Sequence, residues 1–192
     1  MIHHSKFNYI FLCKMNFIIL LVVCAIFNAC NERKLSYQDD LHRVIGNKVN
    51  YPKELIQLNP KHHIREINAT DTGFKIIVYV DSFSCTLCNM KTLLPWNNFY
   101  PIFNSMKIPV EIILYSDNVL DVQNISKELD FEFPYFYDVN DEFKQNNYIP
   151  KFEAFRSFLT KNDTIIAVGN PALNDKIFDF YVKIVQESSK DD

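Results

Sequence analysis

Two cysteines three positions apart, Cys85 and Cys88, stand between an apolar run and a segment that reads as a helix. The run, Phe74 to Val80, has the length and β-branched content of a buried strand. The pair therefore falls where a strand ends and a helix begins. A cysteine in a first helical turn feels unpaired N–H groups and the positive end of the helix dipole, and both favour thiolate. A second cysteine at i+3 lies on the same helical face, close enough to close a small disulfide ring. That geometry suits thiol–disulfide exchange.

The N-terminus is read as a targeting segment. Lys14 precedes an apolar stretch from Met15 to Phe27. The stretch is shorter than the roughly 20 residues of a membrane span and fits the about 7–15 residues of a signal-peptide core. It ends in Phe27-Asn28-Ala29-Cys30, and charge begins at once with Glu32, Arg33 and Lys34. A small residue followed by cysteine resembles the bacterial lipoprotein signal, which implies cleavage before Cys30 and acylation of its sulfur. An uncleaved anchor from Phe7 to Phe27 is the alternative, and Met15 is an alternative start. Each reading puts the body of the protein in the cell envelope, outside the cytoplasm. Cys13 and Cys24 then leave with the leader and Cys30 carries lipid. Only Cys85 and Cys88 remain in the folded part, where oxidising conditions allow them to cycle or to stay locked.

The expected organisation is a signal peptide over residues 1–29, a tether and lead-in over 30–72, and one domain over 73–188. A chain of 192 residues with 48% hydrophobic and 15% aromatic residues has enough apolar material for one sizeable core. The net charge of −3 gives no reason to expect a nucleic-acid partner. Only three glycines are present, which argues against a phosphate-cradling loop. No cofactor is expected.

Within the lead-in, Leu41, Val44 and Ile45 have helical spacing, and Gly46 reads as a C-terminal stop. Lys48 to Pro52 reads as a short edge strand. His62 and His63 read as surface residues, because adjacent side chains diverge. The body alternates. Strands are expected at 74–80, 110–115, 133–137, 154–160 and 164–168, the last two joined by a tight turn over Lys161-Asn162-Asp163. Helices are expected over 86–105 with a break at Pro95, and over 119–129, 139–146 and 173–186. This order implies a mixed sheet with helices on both faces. Trp96, Phe99 and the aromatic residues from Phe131 to Tyr148 are read as packing.

The C-x-x-C after a core strand, with a closing hairpin and a final helix, resembles thioredoxin-like proteins. The extra strand and helix between Phe133 and Asn146 resemble the insertion in membrane-anchored TlpA/ResA-like proteins and in peroxiredoxins. Small thioredoxin-like lipoproteins share the pattern V-Y-V-D-S-x-x-C-x-x-C, seen here at Val78 to Cys88. They also share F-P-x-x-x-D at Phe133 to Asp138 and A-x-G-N-P at Ala167 to Pro171. The similarity covers about residues 38–186. It implies a three-layer α/β/α fold and a membrane-anchored thiol–disulfide oxidoreductase with a thiol or disulfide protein partner or redox donor. Carried over, Cys85 is the attacking thiol and Cys88 the resolving one. The helix start favours that order and leads to the expectation that Cys85 is the more exposed of the two.

The departures bear on activity. Ser84 replaces the usual tryptophan before the first cysteine, and Thr86-Leu87 replaces Gly-Pro between the two. Phe155 falls where a cis-proline loop is expected, and Pro150 comes too early. Tyr79 stands where the family has a buried acid. Asp81, two residues on, is read as capping the strand-to-helix turn with Ser82 or Ser84, or else as assisting proton transfer from Cys88. Two other readings stay open. One is a non-catalytic binding or scaffold lipoprotein with Cys85–Cys88 as a static staple. The other is a metal site, which needs His62, His63 or a partner chain to complete four ligands.

Overall fold

The computed structural model describes residues 37–58, 73–81 and 85–188. The chain divides into two compact units, Met1–Asp40 and Leu41–Asp192. Nearly all of the first lies outside the described residues, as do Cys30, His62, His63, Ser82 and Ser84.

Among the described residues, the second unit is built on a sheet of six strands. They are β1 (Leu55–Leu58), β2 (Phe74–Asp81), β3 (Val110–Tyr115), β4 (Tyr135–Asp138), β5 (Ser157–Lys161) and β6 (Thr164–Val168). Their spatial order is β1-β4-β3-β2-β5-β6. The central trio β2, β3 and β4 is parallel, and β1, β5 and β6 join antiparallel. β2 and β3 are buried on both faces, which explains their continuous apolar sequences. The turn between β5 and β6 places Asn162 and Asp163 at φ 51° and 63°, the left-handed pair that a two-residue hairpin requires.

Two cores flank the sheet. On one face Ile76, Val78, Ile112 and Leu159 pack against Met90, Leu93, Trp96, Phe103, Val122 and Tyr181. Those side chains belong to α1 (Thr86–Lys91), α2 (Trp96–Ser105), α3 (Val119–Glu128) and α5 (Asp175–Ser188), and to the link between α1 and α2. On the other face Ile77, Tyr79, Ile113 and Phe158 pack against Val44, Val49 and Phe143, the last from α4 (Glu142–Asn146). Trp96, Phe131 and Phe133 are fully buried, in keeping with a packing role. The result is the expected α/β/α thioredoxin-like fold, a mixed sheet with an inserted strand and helix.

Three local outcomes differ from expectation or sharpen it. The helix over 86–105 breaks between Thr92 and Pro95. There the backbone tightens to i→i+3 bonds, including Leu93 N–H to Met90 O and Trp96 N–H to Leu93 O. Lys48–Pro52 is not a strand: Lys48 makes a single bridge to Thr164, and the lead-in supplies its strand at Leu55–Leu58 instead. Ala154 is not in β5 either, because Glu153–Phe155 forms a 3-10 turn just before it.

The lead-in is fastened at several points. Residues 37–44 are helical and Gly46 follows at φ 89°, the stop its sequence suggests. Gly46 N–H donates to Ile165 O at 2.8 Å, Ile165 N–H to Asn47 O at 2.9 Å, and Val49 N–H to Asp163 O at 2.8 Å. Asn50 and Asn147 exchange backbone and side-chain hydrogen bonds, both at 2.8 Å. Below the sheet, Lys75 Nζ lies 3.2 Å from Glu111 and donates to Tyr51 Oη at 2.9 Å.

Candidate functional site

The dithiol lies at the start of α1, directly after β2. Cys85 and Cys88 form a disulfide with Cα atoms 5.3 Å apart. Cys85 is the N-cap: its backbone is extended, its Sγ accepts from Cys88 N–H at 3.2 Å, and its carbonyl accepts from Asn89 N–H at 3.1 Å. A sulfur so placed receives a donor that otherwise has no partner in the helix, which stabilises a thiolate over a thiol.

The exposure of the pair is the reverse of the sequence expectation. Cys88 is exposed and Cys85 is half-buried. Helical phase explains it. Met90 and Leu93 are each 1% exposed and turn inward to the core. Cys88, Lys91 and Thr92 share the opposite, exposed stripe, related by i+3 and i+4.

Among the described residues the cap of the turn is Cys85, and the Asp81 carboxylate faces two cations instead. Oδ1 lies 3.1 Å from Arg156 Nη1, and Oδ2 lies 3.2 Å from Lys144 Nζ. Its carbonyl accepts from Asn89 Nδ2 at 2.6 Å, tying the last residue of β2 to the residue after Cys88. The Arg156 Nε–H also donates to Pro150 O at 3.2 Å, and its carbonyl accepts from Tyr79 N–H at 2.9 Å. Arg156 thus continues the β2–β5 ladder beyond Val78 and anchors the loop where a proline was expected. Phe155 ends the 3-10 turn there and meets Phe152 edge to face. No peptide bond among the described residues is cis.

At Tyr79, where the resemblance led to the expectation of a buried acid, a carboxylate arrives from elsewhere in the chain. The Tyr79 hydroxyl donates to Asp141 Oδ1, and its ring stacks on Phe143 with centroids 5.3 Å apart. Burial first, and that hydrogen bond second, push the hydroxyl well above its ordinary range. Burial also raises the Asp141 carboxyl, against the opposing pull of Tyr79 and Lys144. Asp141 adopts the left-handed conformation, φ 55° and ψ 31°, at the start of α4. Asp138, fully buried, caps that helix: Oδ1 accepts from Glu142 N–H at 3.1 Å and Oδ2 from Phe143 N–H at 2.8 Å.

Asn89, Asp141, Lys144 and Arg156 were not singled out in the sequence. Their partners lie between 8 and 75 positions away, so no local pattern marks them. Among the described residues, no group of three or more His, Cys, Asp or Glu is placed to hold a metal. No helix among them is long and apolar enough to cross a membrane.

No protein-family profile matches the chain, and no curated protein sequence does. Similar solved structures include the thioredoxin domain of a thiol-disulfide oxidoreductase from Bacteroides vulgatus. It is 14% identical, with a TM-score of 0.49, over 72% of this chain and 98% of that one. A thioredoxin-family thiol:disulfide interchange protein from Chlorobium tepidum is 16% identical, with a TM-score of 0.44, over 61% of this chain and 82% of that one. StoA from Bacillus subtilis is 19% identical, with a TM-score of 0.42, over 58% of this chain and 83% of that one. The chain carries its C-x-x-C disulfide at the start of the helix that follows β2, the strand at the centre of the mixed sheet.

Proposed function

We propose that this chain is a membrane-anchored, extracytoplasmic thiol–disulfide oxidoreductase, with Cys85 and Cys88 as its catalytic residues and no cofactor. The carrying observation is the Cys85–Cys88 disulfide at the cap of α1, with the Cys85 sulfur receiving the Cys88 N–H at 3.2 Å. A sulfur stabilised as an anion is both a good leaving group when the disulfide is attacked and an available thiolate once it is reduced. The dithiol passes two electrons to or from a protein partner by way of a mixed disulfide.

The anchoring half of the proposal rests on Cys30 and the leader before it. Cleavage after Ala29 and acylation of the Cys30 sulfur would hold the domain at the bacterial envelope surface, facing the periplasm or exterior. Intact mass of the protein extracted from membranes is expected to fit a chain that starts at Cys30 and carries added acyl groups. A chain that keeps residues 1–29, or that lacks added acyl mass, counts against lipid anchoring.

The exchange half is tested by equilibrating the full chain in defined thiol buffers and measuring the potential of the pair. A value between about −120 and −270 mV supports a working exchanger. A value below about −300 mV marks a structural staple and favours the second reading, a non-catalytic binding or scaffold lipoprotein. The observation on that side is the loop before β5, where Phe155 and an Arg156 engaged by Asp81 stand in place of a proline.

A further inference from the structure

Resting on the exchange reading, we infer that Asn89 is a positioning residue that sets the redox poise of the Cys85–Cys88 pair. Two hydrogen bonds carry the inference. Asn89 Nδ2 donates to the Asp81 carbonyl at 2.6 Å, and the Asn89 backbone N–H donates to the Cys85 carbonyl at 3.1 Å. One residue therefore clasps the last position of β2 to the first turn of α1, next to the disulfide. The far side of the clasp is held as well. Arg156 at 3.1 Å and Lys144 at 3.2 Å fix the Asp81 carboxylate, so the Asp81 carbonyl is presented from an anchored strand end. Asn89 is half-buried, where a hydrogen bond is stronger than in open water.

Linkage turns this geometry into a redox effect. The disulfide and the clasp both order the turn from Cys85 to Asn89. With the disulfide closed, the ring already fixes Cys85 and Cys88 with Cα atoms 5.3 Å apart, and the clasp forms at little further cost in chain entropy. In the dithiol the clasp must order the turn unaided, so it is worth less. Coupling of this kind is reciprocal: a clasp that is stronger in the oxidised form favours that form to the same extent. In the equilibrium with glutathione, two thiols give two electrons and two protons to the pair. The Cys85–Cys88 bond opens to the dithiol, and one glutathione disulfide forms. Asn89 takes no part in these bond changes; it shifts the equilibrium toward the closed disulfide.

Full-length wild type, Asn89→Ala and Thr92→Val are equilibrated in glutathione and in dithiothreitol redox buffers. The oxidised fraction is read by acid quench, alkylation and intact mass. Thr92→Val is the control, because it removes a 2.6 Å bond from Thr92 Oγ1 to the Asn89 carbonyl that does not reach β2. Asn89→Ala is expected to be reduced about fivefold more readily than wild type, a rise of about 20 mV, and Thr92→Val to match wild type within about twofold. An Asn89→Ala equilibrium within about twofold of wild type, or an equal shift in Thr92→Val, overturns the positioning role while leaving the exchange reading standing. In wild type, the Asn89 side-chain amide is expected to exchange its hydrogens more slowly in the oxidised form than in the reduced one, as read by NMR. Equal rates overturn the coupling, whether or not a variant folds well. A wild-type pair that only dithiothreitol opens overturns the exchange reading, and the variant ratios in that buffer still decide the role of Asn89.

Discussion

The ion triad at the end of β2 yields a prediction whose size follows from its burial. In Asp81→Asn the side chain keeps its shape but no longer neutralises Arg156 and Lys144. The Lys144 side chain is 38% exposed and can turn to water, so its pair contributes little. The Arg156 side chain is only 17% exposed and its partner 11%. A largely buried cation left without its anion costs about 3–5 kcal/mol. Partial access of water to both groups brings the expected loss to about 2–3 kcal/mol. For a domain of this size that corresponds to a Tm about 8–12 °C lower. Trp96 is the chain's one tryptophan and is fully buried, so its fluorescence reports urea unfolding directly. Removing both partners, as Asp81→Asn with Arg156→Met, removes the uncompensated charge as well as the pair. The double variant is therefore expected to recover about 1–2 kcal/mol relative to the sum of the singles. Additivity within about 0.5 kcal/mol would refute the reasoning, because the two groups would then not be acting on each other.

Three further outcomes are expected. Burial holds the Glu111 carboxyl above its ordinary range, so its stabilising contribution is full below the ordinary carboxylate value and is lost as pH rises through the folded one. Wild type should therefore gain stability relative to Glu111→Gln between about pH 7 and about pH 4, and urea midpoints that keep a constant gap would contradict this. Gly169 sits at φ 133°, and a methyl group there would lie 3.2 Å from Ile177 Cδ1. Gly169→Ala is expected to cost about 1–3 kcal/mol by urea unfolding, and an unchanged midpoint would show that the turn yields freely. Asn89→Ala removes the 2.6 Å bond to the Asp81 carbonyl and is expected to cost about 1 kcal/mol. Hydrogen exchange at Cys88 and Asn89 should then quicken, and unchanged protection would mean the junction is held by other contacts.

How far the sequence foretold this molecule depends on where the determining contacts lie. The runs at Phe74–Val80 and Val110–Tyr115 announce themselves because both faces of those strands are buried, so no polar position interrupts them. Gly46 and the Asn162-Asp163 turn are equally readable, since a positive φ restricts the residues that fit. β1 is not readable. Its four residues carry no alternation, Ile56 is 43% exposed, and it is a strand only because β4 offers an edge. The dithiol and its place at a helix start are local features and were foreseen, yet its exposure was not. Distance from the helix start suggested that Cys85 faces solvent, but rotation about the helix axis decides the matter, and Met90 and Leu93 set it. The sequence alone points Asp81 to the turn beside it, because its cations come from 63 and 75 residues away.

The lead-in matters for more than continuity. By bonding to β6 through Gly46, Asn47 and Val49, it occupies main-chain groups that an outermost strand would otherwise offer to any extended chain it met. A version of the protein trimmed to begin at β2 would keep the dithiol and most of both cores. It would also uncover a strand of sequence Thr164-Ile165-Ile166-Ala167-Val168, uncharged and rich in β-branched residues, with no neighbour on its outer side. Such a strand invites self-assembly by edge pairing, so residues that contribute nothing to the redox centre are what keep the sheet from growing.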